Sequence, residues 1–249
     1  MLRVILVSSE VTYVPDNYAA AFNTILRQCP GRVVALVALK VVNLALLATI
    51  AKLWFAGCHG VAGALANNIV SNPAKKRRLQ FAEHGAAFIE ATTMNDAGMI
   101  EWVRANRIDL IVNMRTRCIY REEILRTPRL GCVNIHHGLL PKYRGLLCDA
   151  YALFEGREAG FTVHSMNAKI DDGGILKQAV VEKIDPTVYT SHVQKSSEIE
   201  GGTIADLILQ IEELGQLPPT IPNKSDGIIH TRTPSLETIR KMRKTGLKL

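Results

Sequence analysis

Residues 131–145 read GCVNIHHGLLPKYRG. A short apolar run leads into Asn134, Ile135 and His136, and an apolar turn that ends in Pro141 follows directly. On an extended strand, the side chains of residues i and i+2 point to the same side. Asn134 and His136 therefore share one face at the end of a buried strand. A carboxamide donor beside an imidazole that exchanges protons predicts chemistry here, because packing alone needs neither side chain.

Apolar segments alternate with helical patterns through the N-terminal half of the chain. Strands are predicted at RVILVSS (3–9), RVVALVAL (32–39), AAFIEA (86–91), DLIVNM (109–114) and GCVNIH (131–136). Helices are predicted over residues 15–29, 42–70 with a break at 57–60, 72–85 and 95–107. This alternation predicts an α/β fold with a doubly wound, mostly parallel sheet. Ligands of such sheets bind beyond the carboxyl ends of the strands, where Asn134 and His136 lie.

The sequence after residue 150 has a different pattern. GFTVHSM (160–166) and GILKQAVVEKI (174–184) predict an antiparallel hairpin whose loop contains NAKIDDG. A long helix centred on residues 203–214 and a basic helix after Pro234 follow. The chain has no internal repeat and no low-complexity linker. We therefore predict one domain, with a catalytic part over residues 1–190 and a C-terminal helical extension over 191–249 packed on it.

Several common cofactors lack their sequence signatures in this chain. The first strand is followed by SSEVTYVP, so the G-x-G-x-x-G of nicotinamide- and flavin-binding proteins is missing. No G-x-x-x-x-G-K-S/T segment supports ATP hydrolysis. The histidines and cysteines show no metal-ligand spacing, so we predict no metal site. The five scattered cysteines, with no C-x-x-C pair, are typical of reduced thiols in a cytoplasmic protein.

Charge and hydropathy bear on the partners of the protein. The formal net charge is +7, and basic residues cluster at 75–78 and 240–248. We interpret both clusters as solvated helix faces, with nucleic acid as the alternative. Residues 33–57 are strongly apolar, but Lys40 and Lys52 interrupt the run before it reaches the ~18 residues of a spanning helix. We predict a strand and an apolar helix without a transmembrane segment; contact with a membrane surface and a homodimer through this helix are the alternatives.

A catalytic imidazole needs a carboxylate that orients it. The IDDGG loop of the predicted hairpin offers Asp171 and Asp172, and its paired glycines allow the backbone to approach a site closely. Asp171 is the better candidate, although the spacing of the residues does not separate the two. With such a carboxylate, Asn134 and His136 can stabilise an oxyanion that develops on a carbonyl.

Three segments, in order, resemble the folate-dependent formyltransferase family: NIHHGLLPKYRG (134–145), GFTVHSM (160–166) and KIDDGGIL (169–176). That family includes phosphoribosylglycinamide, methionyl-tRNA and sugar N-formyltransferases, and it combines N-x-H, a turn containing proline, G-x-T-x-H and D-x-G. The resemblance implies a Rossmann-like fold of the formyltransferase type. It also implies that Asn134, His136 and Asp171 are catalytic, the last because Gly173 follows it two positions later.

The resemblance further implies where folate and the acceptor bind. VNMRTRCIY (112–120) is similar to the stretch that holds the pterin ring, which assigns cofactor contacts to Arg117, Cys118 and Ile119, with Leu139 and Leu140 beside the same pocket. For substrate binding we expect a contribution from two further residues. Arg144 either grips an acceptor phosphate or shapes the turn, and His164 lies either on the site floor or in the core. One departure is Gly138, where the family usually has Ser; the neighbouring His137 points away from His136, into the core or into solvent.

The implied reaction moves a formyl group from 10-formyltetrahydrofolate to a primary amine of a small acceptor, of the amino sugar nucleotide or glycinamide ribonucleotide type. A methionyl-tRNA acceptor is the alternative within the family; about 65 residues follow the hairpin, without a barrel-like run of strands for RNA binding. Hydrolysis of 10-formyltetrahydrofolate by the same residues is a second alternative. A binding or membrane-associated module without catalysis is a third, and the presence of Asn134, His136 and Asp171 in one chain argues against it.

Overall fold

The computed structural model describes residues 1–71, 73–182 and 187–249. Its strands are β1 (Val4–Ser9), β2 (Val33–Leu39), β3 (Ala87–Ala91), β4 (Leu110–Met114), β5 (Cys132–His136), β6 (Tyr143–Gly145), β7 (Gly160–Ser165), β8 (Ile175–Val180) and β9 (Ile229–Thr231). Its helices are α1 (Ala19–Gln28), α2 (Leu44–Phe55), α3 (His59–Val70), α4 (Pro73–Glu83), α5 (Ala97–Ala105), α6 (Glu122–Arg126), α7 (Cys148–Phe154), α8 (Tyr189–Leu214) and α9 (Leu236–Lys244). The first residue of the helix predicted over 72–85 and the last two of the strand predicted over 174–184 lie outside the described residues.

The main sheet has seven strands in the order β3-β2-β1-β4-β5-β7-β8. The first five are parallel to their neighbours, whereas β7 runs antiparallel to both β5 and β8. The apolar run Val4–Val7 of β1 is fully buried, as a parallel strand covered by helices on both faces requires. The predicted doubly wound, mostly parallel sheet with an antiparallel hairpin is therefore confirmed. β6 and β9 form a separate two-stranded sheet.

The sheet topology gathers polar side chains at one edge. Strand order reverses at β1, which has β2 on one side and β4 on the other, and ligands of doubly wound sheets bind beyond the carboxyl ends at such a point. Near these ends, Asn113 of β4 is in register with Asn134 of β5. On its other side, Asn134 lies opposite His164 of β7. Three adjacent strands thus each contribute a polar side chain to the same place.

The helix predicted over residues 15–29 begins later, at Ala19. A 3-10 turn precedes it, in which Asp16 and Asn17 have φ angles of 49° and 52°. The Asn17 carboxamide accepts from the Thr12 N–H at 2.9 Å and donates to the Glu10 carbonyl at 2.8 Å. Asn tolerates the left-handed conformation when its side chain bonds the nearby backbone. Local polar bonding here outweighs the helical pattern of the sequence.

The apolar segment predicted as a helix with a break at 57–60 forms α2 and α3. Gly57 turns the chain between them with a φ of +84°. No helix within residues 1–71, 73–182 and 187–249 is both long enough and apolar enough to cross a bilayer.

Helix α8 starts well before the predicted 203–214 core and packs along α1. The closest approach is at Gly201, where a Cβ would lie 2.8 Å from the Ala21 Cα. The adjacent Gly202 has open space around the position of a Cβ. The two glycines therefore differ in their tolerance of a side chain, although both lie inside the same helix.

We predict that Gly201→Ala lowers the free energy of unfolding by about 1–3 kcal/mol, because the added methyl meets the α1 backbone. Gly202→Ala is the matched control. It removes a helical glycine without a clash and is expected to raise stability by roughly 0.5–1 kcal/mol. Urea denaturation followed by circular dichroism measures both changes. Equal effects of the two substitutions would contradict the close packing of α1 and α8.

Candidate active site

His136 and Asp171 form a buried pair at the end of β5. The His136 Nδ1 lies 3.3 Å from the Asp171 Oδ1, and both side chains are almost fully buried. The other ring nitrogen, Nε2, lies 2.8 Å from the Tyr143 carbonyl oxygen. Because both neighbours are acceptors, the ring satisfies both when it carries two protons. The geometry therefore favours an imidazolium–carboxylate ion pair.

The electrostatics of the pair agree with this geometry. Burial by itself disfavours the charged ring, but the hydrogen bond and charge of Asp171, with a further contribution from Cys148, outweigh burial and raise the pKa of His136 to about 10. Burial likewise opposes ionisation of Asp171. The contact with His136 and the Gly145 N–H, which donates to Asp171 Oδ2 at 3.0 Å, nevertheless lower the pKa of Asp171 below its usual value.

Asn134 is oriented by its neighbours in the sheet. Its Oδ1 accepts from the Asn113 Nδ2 at 2.8 Å, and its Nδ2 donates to the His164 Nε2 at 3.1 Å. His164 donates its own Nδ1–H to the Ser165 carbonyl at 2.8 Å, which fixes a neutral ring. Burial lowers the pKa of His164 to about 4. One N–H of the Asn134 carboxamide is thus held by His164, and the second is available to a ligand.

The loop that carries Asp171 is held in place on several sides. Asn223 donates to the carbonyls of Asp171 and Gly173, each at 2.9 Å. A Cβ at Gly173 would lie 1.7 Å from the Ser165 carbonyl oxygen, so only glycine fits this close approach. Asp171, rather than Asp172, faces His136, and this geometry separates the two carboxylates that the sequence leaves open.

Arg144 lies beside this loop and bonds it. Its Nη1 lies 2.8 Å from the Asp172 Oδ1, and its Nη2 donates to the Asn223 carbonyl at 2.8 Å. The side chain of Arg144 is largely buried. In this structure, the guanidinium stabilises the turn and the Asp171 loop together, which corresponds to the second of the two roles expected for it.

The turn after β5 is fixed by Thr162 of β7. The Thr162 hydroxyl donates to the Gly138 carbonyl at 2.7 Å and accepts from the Leu140 N–H at 3.0 Å. A Cβ at residue 138 would lie 2.8 Å from the His136 Nε2. Glycine at this position, where the family usually has Ser, therefore leaves room for the imidazole. Leu140 is buried in the turn and Leu139 is half-buried.

Arg117, Cys118 and Ile119 line a different part of the molecule from His136. They border a cavity of about 280 Å³, together with residues at or just beyond the ends of β1, β2 and β3: Ser9, Leu39, Lys40, Val41, Thr92, Thr93 and Asn95. Leu139 and Leu140 are absent from the lining of this cavity. The loop is nevertheless joined to Asn134, because the Thr116 hydroxyl donates to the Asn113 Oδ1 at 2.7 Å. Among the described residues, no group of three or more His, Cys, Asp or Glu side chains is arranged to hold a metal ion.

A family model described as formyl transferase matches residues 50–204, which is more than half of the chain. The chain belongs to the formyl transferase family. The match contains each of the motifs from which the resemblance was drawn, so the prediction of the family is confirmed.

The curated relatives of this formyl transferase family member include methionyl-tRNA formyltransferases. That of Burkholderia cenocepacia is 30% identical over 158 residues, which are 59% of this chain and 47% of that protein. That of Bacillus thuringiensis is 32% identical over 150 residues, or 60% and 48% of the two chains. The chain therefore spans about half the length of the curated relatives it matches.

Solved structures share the fold. A sugar N-formyltransferase from Shewanella sp has a TM-score of 0.58 at 19% identity, over 93% of this chain and 76% of that chain. A glycinamide ribonucleotide transformylase from Symbiobacterium toebii has a TM-score of 0.61 at 18% identity, over 91% and 95% of the two chains. At these identities the likeness establishes the Rossmann-like fold of the family and leaves the acceptor open.

Sequence reasoning missed several residues that build the site. Asn113 had a usable signal, because it is a polar residue near the end of an apolar strand, as Asn134 is. Asn223 and the Tyr143 carbonyl had none, since a loop residue and a backbone atom acquire their contacts only when distant segments meet.

A second buried cluster lies behind the site. The ring of His137 lies 3.2 Å from both the Asp149 Oδ2 and the Glu200 Oε1. It is buried, which is the first of the two placements expected for it, in the core or in solvent. Arg115 forms an ion pair with Glu200, whose carboxylate also accepts from the Ser196 hydroxyl at 2.6 Å. Burial raises the pKa of the Glu200 carboxyl, and the Arg115 charge opposes that rise.

Replacing Asp171 should change the titration of His136. In Asp171→Asn the buried ring loses its counter-charge, so we expect its pKa to fall from about 10 to below the ordinary value near 6.5. Asp172→Asn is the matched control and should leave that pKa unchanged. NMR titration of the imidazole resonances measures both. A His136 pKa that is the same in the two variants would exclude Asp171 as the partner that charges the ring.

The pH dependence of stability follows from the same pair. Because the pKa of His136 is raised on folding, its contribution is complete below pH ~6.5 and is lost as the pH rises through about 10. The lowered pKa of Asp171 adds stability above pH ~4 that is lost in acid. We expect the difference in the free energy of unfolding between wild type and Asp171→Asn to be largest between pH ~4 and ~6.5, where both contributions are complete. Urea unfolding measured across pH tests this. A difference that is constant across pH would contradict the ion pair.

Glu200→Gln should destabilise the fold strongly. It leaves the Arg115 guanidinium buried without its partner, and removing one member of a buried pair costs about 3–5 kcal/mol. Glu122→Gln is the control, because it breaks an exposed pair with Arg126 and should cost less than ~1 kcal/mol. Thermal and urea unfolding compare the two variants. A small loss for Glu200→Gln would show that the cluster tolerates an uncompensated arginine.

Proposed function

We propose that this chain is a cytoplasmic, 10-formyltetrahydrofolate-dependent N-formyltransferase that acts on a primary amine of a small acceptor. The observation that carries the proposal is the convergence of Asn134, His136 and Asp171 at the end of β5, with Asn134 and the ion pair each held by separate contacts. Membership of the formyl transferase family supports the transfer of a formyl group. The five free cysteines are consistent with a reducing compartment.

Asn134 is the proposed oxyanion donor. One carboxamide N–H is committed to His164, and Asn113 fixes the carboxamide oxygen, so the second N–H has a defined direction. A preorganised donor stabilises charge that develops on the formyl oxygen without reorganising during the reaction. Asn113 and His164 are then positioning residues, since both act through Asn134.

His136 and Asp171 supply charge and move a proton. The imidazolium adds positive charge beside the formyl oxygen, and Asp171 keeps the ring protonated at neutral pH. In the reactive complex, the Nε2–H exchanges the Tyr143 carbonyl for the formyl oxygen. The pair also relays the proton that the attacking amine loses to the folate nitrogen, which departs as its bond to the formyl carbon breaks. An imidazolium that gives up a proton during turnover regains it from the amine, so its charge is restored.

The residues present fit a folate. When bound, 10-formyltetrahydrofolate supplies the formyl carbon as an electrophile and a nitrogen as the leaving group. The cavity beside Cys118 and Ile119, at about 280 Å³, lies close to the lower end of the ~300–1,000 Å³ of ligand pockets. Arg117 and Lys40 at its rim offer positive charge to the acidic tail of the cofactor. We propose Arg117, Cys118 and Ile119 as cofactor contacts in this cavity. Leu139 and Leu140, in the turn after β5 and outside the lining of the cavity, are the proposed contacts closer to His136.

The acceptor we propose is an amino sugar nucleotide or a glycinamide ribonucleotide. Folds closely similar to this one occur in a sugar N-formyltransferase and in a glycinamide ribonucleotide transformylase. Methionyl-tRNA is the second candidate, favoured by the 30–32% identity to enzymes of that name. Its binding would weaken steeply with salt, because a transfer RNA brings many phosphates.

The testing experiment follows the conversion of 10-formyltetrahydrofolate to tetrahydrofolate by absorbance, without an acceptor and then with each candidate amine. We expect turnover that requires one amine. Asn134→Ala and Asp171→Asn should each lower kcat by about 10²–10³-fold, because each removes stabilisation of the transition state. Folate affinity, measured by calorimetry, should change little, since both side chains act mainly on charge that develops in the transition state rather than on the bound folate.

Asp172→Asn is the control for local structure and should retain most activity. Formate release without any amine would reassign the chain as a hydrolase. Folate binding without turnover on any acceptor, methionyl-tRNA included, would contradict the transferase proposal. Equal activity of Asp171→Asn and wild type would contradict the mechanism.

A further inference from the structure

Helix α2 is the most apolar exposed element of the described chain. Its sequence is LALLATIAKLWF, and none of its residues is buried. Leu44 is 85% exposed and Phe55 89%, while Trp54 and Leu47 are about half exposed, at 52% and 49%. Contiguous apolar patches of this kind on a protein surface mark interaction sites.

The helix has two apolar faces rather than one. Leu46, Ile50 and Leu53 are partly buried, at the spacing of one helical stripe, on the side that packs against α3. Leu44, Leu47, Ala48, Ala51, Trp54 and Phe55 form a second stripe on the outer side. We call this second set the outer face of α2. Contact with α3 therefore accounts for the inner stripe and leaves the outer face exposed to solvent, apart from Trp54, whose ring centroid lies 4.8 Å from that of His59.

Positive charge lies on α2 and beside its C-terminal end. Lys52 lies on α2 and is exposed. At the end of α2, the Arg243 Nη1 donates to the Ala56 carbonyl at 3.4 Å, which brings the basic helix α9 beside Phe55. The exposed Arg240 and Lys244 of α9 add further charge.

Negative charge is absent from this part of the sequence. No Asp or Glu occurs between Asp16 and Glu83. On α9, Lys241 is paired with Glu237 at 2.7 Å, so that acid offsets one cation of the helix. A partner that complements this surface offers apolar groups to the stripe of α2 and negative charge to the cations beside it.

A second copy of the chain fits this surface poorly. A second copy would present the same cations, Lys52 and those of α9, and the sequence from residue 17 to 82 holds no acidic side chain to meet them, so charge complementarity between two outer faces is lacking. An anionic lipid surface instead meets the cations with phosphates and the apolar stripe with acyl chains. Trp and Phe are also the side chains that favour the boundary of a bilayer.

We propose that the protein binds the surface of anionic membranes through α2, which lies in the plane of the bilayer interface with its outer face inserted among the lipids. Arg240, Lys244 and Lys52 contact the headgroups. The surface is distinct from Asn134 and His136, so the inference is independent of the proposed formyl transfer.

The test is sedimentation of the full chain with vesicles of phosphatidylcholine, with and without 30% phosphatidylglycerol. We expect binding to the anionic vesicles and at least about tenfold weaker binding to the neutral ones. Trp54 reports insertion directly. The chain has two tryptophans, so a Trp102→Phe background leaves Trp54 alone, and its emission should shift to shorter wavelength only with anionic vesicles.

Two double variants separate the outer face from general hydrophobicity. Leu44→Gln with Leu47→Gln should weaken binding at least about tenfold, because it removes two inserted side chains. Leu209→Gln with Leu214→Gln removes two exposed leucines of α8 and should leave binding unchanged. Circular dichroism and melting temperature verify that both proteins are folded.

Several results would overturn the proposal. Protein that stays in the supernatant with all vesicles would do so. If that protein is also a dimer, and the Leu44/Leu47 variant is a monomer, the outer face binds a second copy instead of lipid. Equal binding to neutral and anionic vesicles would exclude the role of the cations. Binding that survives in the Leu44/Leu47 variant would show that charge alone holds the protein, without insertion of α2.

Discussion

The antiparallel register between β5 and β7 is the contact on which the site depends. It sets Asn134 opposite His164 and His136 opposite Thr162. The first pair orients the carboxamide, and the hydroxyl of the second fixes the turn at Gly138 and Leu140. A slip of β7 by one residue would turn Thr162 and His164 to the other face of the sheet, away from Asn134 and His136. The G-x-T-x-H strand thus serves as the template that positions the N-x-H strand.

Two histidines on neighbouring strands differ in protonation, one charged and one neutral, because their hydrogen-bond partners differ. His136 has an acceptor at each ring nitrogen, Asp171 and the Tyr143 carbonyl, and is held protonated. His164 has a donor at Nε2 and an acceptor at Nδ1, and is held neutral. The neutral ring orients the amide, and the charged ring supplies the field beside it. This division allows two imidazoles 6.3 Å apart to avoid mutual repulsion in a buried site.

Part of the protein interior is polar and charged rather than apolar. A carboxylate–arginine–histidine cluster occupies the space between α8 and the ends of β4 and β5, where apolar packing would be the alternative. Such clusters contribute little net stability when all partners are present and are costly when one is removed. Outside, α2 shows the reverse arrangement, with apolar side chains exposed and cations around them. Both the buried charged cluster and the exposed apolar face of α2 depart from the ordinary pattern of a globular domain. The proposed membrane binding rests on the face of α2.

The sequence by itself determined the layer architecture and predicted Asn134 and His136 as neighbours on one face of a strand. Buried strands such as RVILVSS and RVVALVAL can be recognised from their local hydrophobic pattern. The shared face of Asn134 and His136 follows equally locally, from their spacing of two residues on a strand. The helix start at Ala19 was misplaced, because the hydrogen bonds of Asn17 to Glu10 and Thr12 leave no trace in periodicity. The pattern likewise did not reveal short elements such as α6 and α7.

Only the tertiary structure decided which carboxylate faces His136 and which groups Arg144 contacts. Asp171 and Asp172 are adjacent and chemically identical in the sequence; the left-handed φ of 51° at Asp171 and the bonds from Asn223 direct one toward the ring and the other toward Arg144. It also decided that the outer face of α2 is exposed, since a helix that is apolar on all sides reads as core until its neighbours are known. Both decisions rest on contacts between distant segments, and local sequence carries no information about those.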